Sequence, residues 1–281
     1  MSKVLAVGVA TLDTIVLVDK YPNVDERVIA KETIQGFGGP AATAAVAMAR
    51  LGIDVSLACV IGDDEAGRKI FDNLKREGVD TSNVVIDSKI NTAIGTIVVA
   101  EATQSRAILA QPHSQIAHKP ANINDYSWIH VDHLGMAALK EWGVKRGTGP
   151  KLSIDIGYAY PGLKSSDYDL YAPSENITKD VSSASRDGNL VVISKGSSGS
   201  IYSNGLESGD VPALKGEIHS TLGAGDVFHG ALVAAQVWGK SARESVEIAN
   251  VVAGLSCRAI DGQSGIPTKA ELDAFFAGVR S

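Results

Sequence analysis

VSLACVIGDDEAGRKIFDNLKREG, Val55–Gly78, joins a strand to a helix. VSLACVI is a short Val/Ile-rich run bounded by glycine. From Asp63 the pattern becomes amphipathic, with acids at its start and Lys75 and Arg76 near its end, the order of charge that a helix macrodipole favours. Just upstream, GGPAATAAVAMARLG (Gly38–Gly52) has Pro40 placed for a first helical turn and Gly52 for a stop. Helix, strand, helix in succession predicts an α/β fold on a largely parallel sheet.

The same rhythm extends in both directions. VLAVGVA (Val4–Ala10), WIHVDHL (Trp128–Leu134), KLSIDIG (Lys151–Gly157) and LVVISKGSSGSIY (Leu190–Tyr202) read as strands, and helical stretches begin near Asp226, Ser241 and Thr268. Residues 14–35 and 91–112 break the rhythm by alternating apolar and polar positions, as half-exposed strands do. They predict a small β-sheet off the main body. GVKRGTGPK (Gly143–Lys151) is short enough to be a surface loop. One domain over residues 1–281, with this appendage, is expected.

Composition narrows the function. A chain of 281 residues that is 44% apolar can bury a large core. Its net charge of −6, with no basic run, argues against nucleic acid and anionic membrane as partners and favours a small molecule. The apolar N-terminus is interrupted by Asp13, and no run approaches the roughly 20 residues of a bilayer span. Cys59 and Cys257 lie in apolar stretches without metal-ligand spacing, which predicts buried thiols and a cytoplasmic setting. His113, His118, His130 and His133 also lack metal spacing and are expected in the core or at a rim.

The chemistry is concentrated in HSTLGAGDVFHGAL, His219–Leu232. The N–H groups of Gly223, Ala224 and Gly225, followed by a helix start, form a nest for negative charge. Asp226 after them is either a helix cap or, if the nest holds an oxyanion, a base that takes a proton from a hydroxyl aimed at it. Phosphoryl transfer from a nucleotide to an alcohol needs the second combination.

GAGDVFHGAL, preceded nearly 190 residues earlier by GGPAATAAVAMARLG, resembles the two signature regions of the ribokinase-like (PfkB) carbohydrate kinases. In detail the pair looks closest to the sulfofructose kinase and ketohexokinase-like branch. The resemblance implies a ribokinase-like fold with a β lid, and an ATP- and Mg2+-dependent kinase acting on a hydroxyl of a ketose or related small sugar. Asp226 then matches the catalytic base and Gly223, Ala224 and Gly225 the anion hole. Asp13, expected at the end of the first strand, and Gly38, Gly39 and Thr43 match sugar-binding positions, and Arg27 in the lid segment could meet an anionic substituent. Ser194, Gly196, Gly199 and Asn250 match nucleotide-side positions.

Two departures bear on cations. Ser220, Thr221 and Leu222 stand where the family usually has Asp-Thr-Thr, which removes a common monovalent-cation ligand and puts potassium activation in doubt. YAPSENITKD has Ser174 and Ile177 at the Asn and Glu positions of the magnesium-organising motif, leaving Glu175 as the candidate metal-side residue. A nucleoside kinase and a non-catalytic sugar or nucleotide sensor on the same fold are the alternatives. The first is disfavoured by an aromatic content of only 5%. No Gly-x-Gly-x-x-Gly follows the first strand, against a dinucleotide oxidoreductase. A homodimer formed through the lid is a further expectation.

Overall fold

The computed structural model describes residues 3–103, 105–116, 118–184, 188–216 and 218–279. In chain order the elements are β1 (Lys3–Val7), β2 (Thr11–Val18), β3 (Glu32–Gly38), α1 (Pro40–Arg50), β4 (Asp54–Gly62), α2 (Glu65–Arg76), β5 (Val84–Asp87), β6 (Ile94–Ala100) and β7 (Ser105–Ala110). There follow β8 (Tyr126–Val131), α3 (His133–Trp142), β9 (Lys151–Ile154), β10 (Leu170–Tyr171), α4 (Val181–Ala184), β11 (Leu190–Ser194), β12 (Ser200–Ser203) and β13 (Ser208–Val211). The helices α5 (Ala224–Val237), α6 (Ala242–Ser256) and α7 (Lys269–Val279) complete the order.

Nine strands form the large sheet in the order β13-β12-β11-β10-β9-β8-β1-β4-β5. Pairings from β11 through β5 are parallel, and at one edge β12 runs antiparallel to both of its neighbours, β11 and β13. The chain steps outward from β1 to β4 and β5, then resumes at β8 on the other side of β1. Strand order therefore reverses between β1 and β8, and in such sheets the crevice beyond the strands' C-terminal ends is where ligands sit.

Alternation along β1 covers both faces. Val4 and Ala6 join a core with α1, α5 and α6, whereas Leu5 and Val7 join one with α3. On the first face α1 and α5 approach closely because their contact is made of small residues: Ala44 and Ala47 face Gly230, where a Cβ would lie 2.5 Å from the Ala44 carbonyl oxygen.

Asp132 explains where two predicted strands stop. Its carboxylate accepts N–H bonds from Val9, Leu134 and Gly135 at 2.7, 2.9 and 3.1 Å. That caps α3 directly after β8, so WIHVDHL is strand only to Val131, and α3 itself has no counterpart in the sequence reading. It also turns the chain away after β1: Gly8, at φ 157°, lies where any Cβ would overlap this carboxylate.

The smaller sheet has the order β3-β2-β6-β7. It spans Thr11–Gly38 and Ile94–Ala110 in place of 14–35 and 91–112, so Asp13 belongs to β2 and not to the end of the first strand. Ile15, Leu17, Ile97 and Val99 form its own small core, packed on Leu222 and Ile260. The GVKRGTGPK segment is turn-rich and connects α3 to β9.

The α1–α5 contact sets a test of sign. Helix propensity alone would make Gly230→Ala stabilising by about 1 kcal/mol. Contact with the Ala44 backbone reverses this, and a net loss of about 1–3 kcal/mol is expected. Thermal unfolding of the variant should show a lower Tm; an unchanged or raised Tm would contradict the packing described.

Candidate active site

A cavity of about 520 Å³ opens at the switch point, between the large sheet's C-terminal edge and the smaller sheet. Its wall includes Val9 after β1, His133 after β8, Asp155 after β9, Ser194 at the end of β11 and the start of α5. The smaller sheet contributes Ile94, Ile97, Arg106 and Ile108.

One side is built around Asp13. Its carboxylate fits between two glycines: a Cβ on Gly38 would lie 2.1 Å from Oδ2, and one on Gly95 2.4 Å from Oδ1. Burial raises its pKa, while hydrogen bonds from the Thr11 hydroxyl and the Gly95 N–H act in the opposite direction. Gly39, at φ 89°, turns the chain into α1 without a side-chain cap. Thr43, one turn into α1, lines the cavity, and its hydroxyl accepts from Gln263 Nε2 at 3.3 Å. Asp13, Gly38, Gly39 and Thr43 are thus brought together as a polar wall of carboxylate, hydroxyl and open backbone.

The opposite side is the N-terminus of α5. Gly223 holds a left-handed conformation, φ 70°, and lies so close to Gly262 that a Cβ would come within 2.9 Å of its backbone. No side chain caps the helix, so its positive end is presented to the cavity at Gly223, Gly225 and Asp226. Ala224 is turned away; its N–H donates to Thr221 O at 3.3 Å and the residue does not line the cavity.

Asp226 stands in the first turn of α5 and faces a second acid that the sequence reading did not single out, Asp155. The two carboxyls line the same cavity and lie close enough to act on one another. Burial is the main cause that drives both upward, Asp155 to about 7 and Asp226 well above the ordinary carboxylate range. For Asp226 the charge of Asp155 adds to this, and the Arg106 guanidinium opposes it. Asp155 Oδ1 lies 3.2 Å from His229 Nε2. Burial holds that imidazole down to about 3, so it is neutral.

Arg106 also went unnoticed in the sequence. It reaches from β7 into the cavity wall, and its Nη1 donates to Thr221 Oγ1 at 2.9 Å. Both residues carried usable signals: Asp155 lies near the end of a predicted strand, and Arg106 in a predicted half-exposed one.

The remaining candidates are dispersed. Arg27 is exposed and does not line the cavity. Asn250 is buried and committed to the protein, accepting from Ser200 Oγ at 2.9 Å and donating to Val211 O and Pro212 O. Gly196 and Gly199 lie in the β11–β12 turn beyond Ser194, outside the cavity wall. Ser174 lines the cavity, whereas Glu175 beside it is exposed and does not.

Among the described residues no three His, Cys, Asp or Glu side chains converge as a metal site, and Glu175 is exposed outside the cavity wall. Of the histidines, His130 is fully buried and His113 and His133 are at the cavity wall. Cys59 and Cys257 are free and buried. No described helix is long and apolar enough to cross a membrane.

Comparison with known proteins agrees with this fold. The model of the pfkB family carbohydrate kinases matches residues 1–139 and 170–269. A ribokinase from Lactococcus lactis is 25% identical, with 98% of this chain and 97% of the relative covered. Among solved structures, a nucleoside kinase from Methanocaldococcus jannaschii superposes with a TM-score of 0.84 at 19% identity, covering 99% of each chain. A Cryptococcus neoformans ribokinase in complex with ADP superposes with 0.81 at 20% identity, covering 98% of this chain and all of that one.

The raised acids fix a sign for stability. A carboxyl whose folded pKa is raised contributes stability below its unfolded pKa and loses it as pH rises through the folded value. Asp226→Asn should therefore raise Tm by a few degrees, more at pH 8 than at pH 5. A variant less stable than wild type at pH 8 would contradict the burial of charge described.

Proposed function

The chain belongs to the pfkB family of carbohydrate kinases, and we propose that it transfers the γ-phosphate of ATP to a hydroxyl of a pentose-type sugar. The observation that carries this reading is the placement of Asp226 and the open end of α5 in one cavity with Asp13, Gly38, Gly39 and Thr43. An acceptor held by Asp13 and Thr43 would present a hydroxyl to Asp226. The transferred phosphoryl group would lie against the N–H groups at Gly223 and Gly225, where the helix end favours negative charge. Positioning then supplies most of the rate, as phosphoryl transfer requires.

The acceptor is the finer part of the proposal. The short motifs pointed to a ketose, whereas curated relatives from Lactococcus lactis and Bacillus subtilis are ribokinases, which favours an aldopentose. A nucleoside is the second reading. His113 and His133 line the cavity with ring centroids 6.2 Å apart, and Tyr158 lies 6.2 Å from His133, giving rings on which a base could stack.

The smaller sheet acts as the lid, with Ile94, Ile97 and Ile108 on its cavity side excluding water from the reacting groups. Magnesium enters with the nucleotide, offsetting the charge of its phosphates. Arg106 provides a fixed positive charge next to Thr221, where the family's usual acid is replaced by Ser220. The exposed edge strands β3 and β7 are the surfaces through which a homodimer would form.

ADP release with ATP and magnesium, measured against ribose, fructose and inosine, tests the assignment. Ribose is expected to give the highest kcat/KM, and Asp226→Asn to lower turnover by about 10² to 10⁴ with the fold retained. Saturable sugar binding without ADP release would replace the kinase with a sensor. Replacing potassium by tetramethylammonium should leave the rate unchanged; a strong potassium requirement would contradict the role given to Arg106.

A further inference from the structure

The surroundings of Asp155 are unusual for an acid so nearly buried. Its side chain is 10% exposed. Its backbone N–H remains tied to Val131 O at 2.8 Å, so the residue extends the line of β9 and has little freedom to turn away. Oδ1 meets His229, whose side chain is 8% exposed and lies one turn beyond Asp226 on the same helix. Oδ2 is buried and has no N–H or hydroxyl partner among the described residues. The nearby group that acts on it is the carboxyl of Asp226, in the wall of the same cavity.

A buried acid satisfied by three N–H groups, as Asp132 is, needs no further explanation. Asp155 has one imidazole for two oxygens. A purely structural acid in that position would cost stability without return, because two carboxylates in contact cannot both ionise. The surrounding charges do not remove the conflict. Asp132, beyond β8, adds negative charge; His130 and His229 are neutral in the interior; Arg106 on β7 faces Asp226 from the opposite wall; His113 and His133 are further along the cavity.

We propose that Asp155 is a positioning residue for the general base: by sharing one proton with Asp226 it fixes which Asp226 oxygen faces the acceptor and sets the pH at which the base is free. The inference rests on the kinase reading above. His229 aims Asp155, Asp155 engages one Asp226 oxygen, and the other oxygen is left toward the acceptor. In the transfer the acceptor O–H bond breaks and its proton passes to Asp226. The acceptor oxygen bonds to the γ-phosphorus, and the bond from that phosphorus to the bridging oxygen breaks, releasing ADP. A base paired in this way titrates as part of a couple, so the acidic limb of the rate profile belongs to the pair.

Asp155→Asn separates this role from packing. The amide is isosteric, its oxygen still accepts from His229, and its NH2 donates to an ionised Asp226. Wild-type kcat/KM should rise with an acidic limb near neutrality. In the variant that limb should move down by about one pH unit or more, with turnover at pH 8 within about tenfold of wild type. Infrared spectra of aspartate-labelled protein without substrates give a second readout at pH 6. A protonated carboxyl band should be present in wild type and weaker in both Asp155→Asn and Asp226→Asn. If Asp155→Asn does not accumulate as folded protein, the wild-type and Asp226→Asn spectra decide alone.

An unmoved limb in an active Asp155→Asn, or no such band in wild type, would overturn the pairing. A wild-type protein with the band that releases no ADP with any acceptor would overturn the kinase reading and leave the pairing standing.

Discussion

Three aspartates, the buried Asp132 and the cavity-lining Asp155 and Asp226, act on one another at the C-terminal edge of a parallel sheet, and that concentration of negative charge is the constraint around which the site is organised. Each is accommodated differently. Asp132 is repaid by three backbone N–H bonds and, in return, starts α3 and redirects the chain after β1. Asp226 is set in the positive end of α5 and opposed by Arg106. Asp155 is left with a neutral histidine on one oxygen and no N–H or hydroxyl partner on the other. This gradation, from satisfied to unsatisfied, separates a structural acid from reactive ones.

Small residues make the rest possible. Gly8 leaves room for the Asp132 carboxylate, Gly38 and Gly95 for that of Asp13, and Gly223 for the close approach of Gly262. The alanines of α1 let it lie against α5 at Gly230, which joins the wall around Asp13 and Gly38 to the helix that carries Asp226. Leu222 and Ile260 support the smaller sheet over the cavity. The substitution of Leu222 within the segment before GAGD thus has a packing use.

Periodicity and glycine placement made the sheet, the helices and the α5 N-terminus readable from the chain, because each depends on local sequence. Asp226, Asp13, Gly38, Gly39 and Thr43 were legible for the same reason: each is part of a short motif. The acid pair was not, since Asp155 and Asp226 are distant in sequence and meet only through the register of β8 with β9 and the packing of α5. Arg106 was hidden similarly, its partner Thr221 lying 115 residues away. The helix α3 was missed because its start depends on Asp132 gathering amides from two segments. Asn250 shows the converse: its position on α6 was legible, but its hydrogen bonds to the β12–β13 region were not.

The central claim is that Asp226 is the base facing an acceptor hydroxyl at the mouth of α5. A crystal structure with ribose and a non-hydrolysable ATP analogue tests it most directly. The account predicts one ribose hydroxyl within hydrogen-bond distance of Asp226 Oδ, the sugar against Asp13 and Gly38–Gly39, and the terminal phosphate at the Gly223 and Gly225 amides. A sugar seated away from Asp226, or a phosphate outside the reach of the α5 N-terminus, would contradict it.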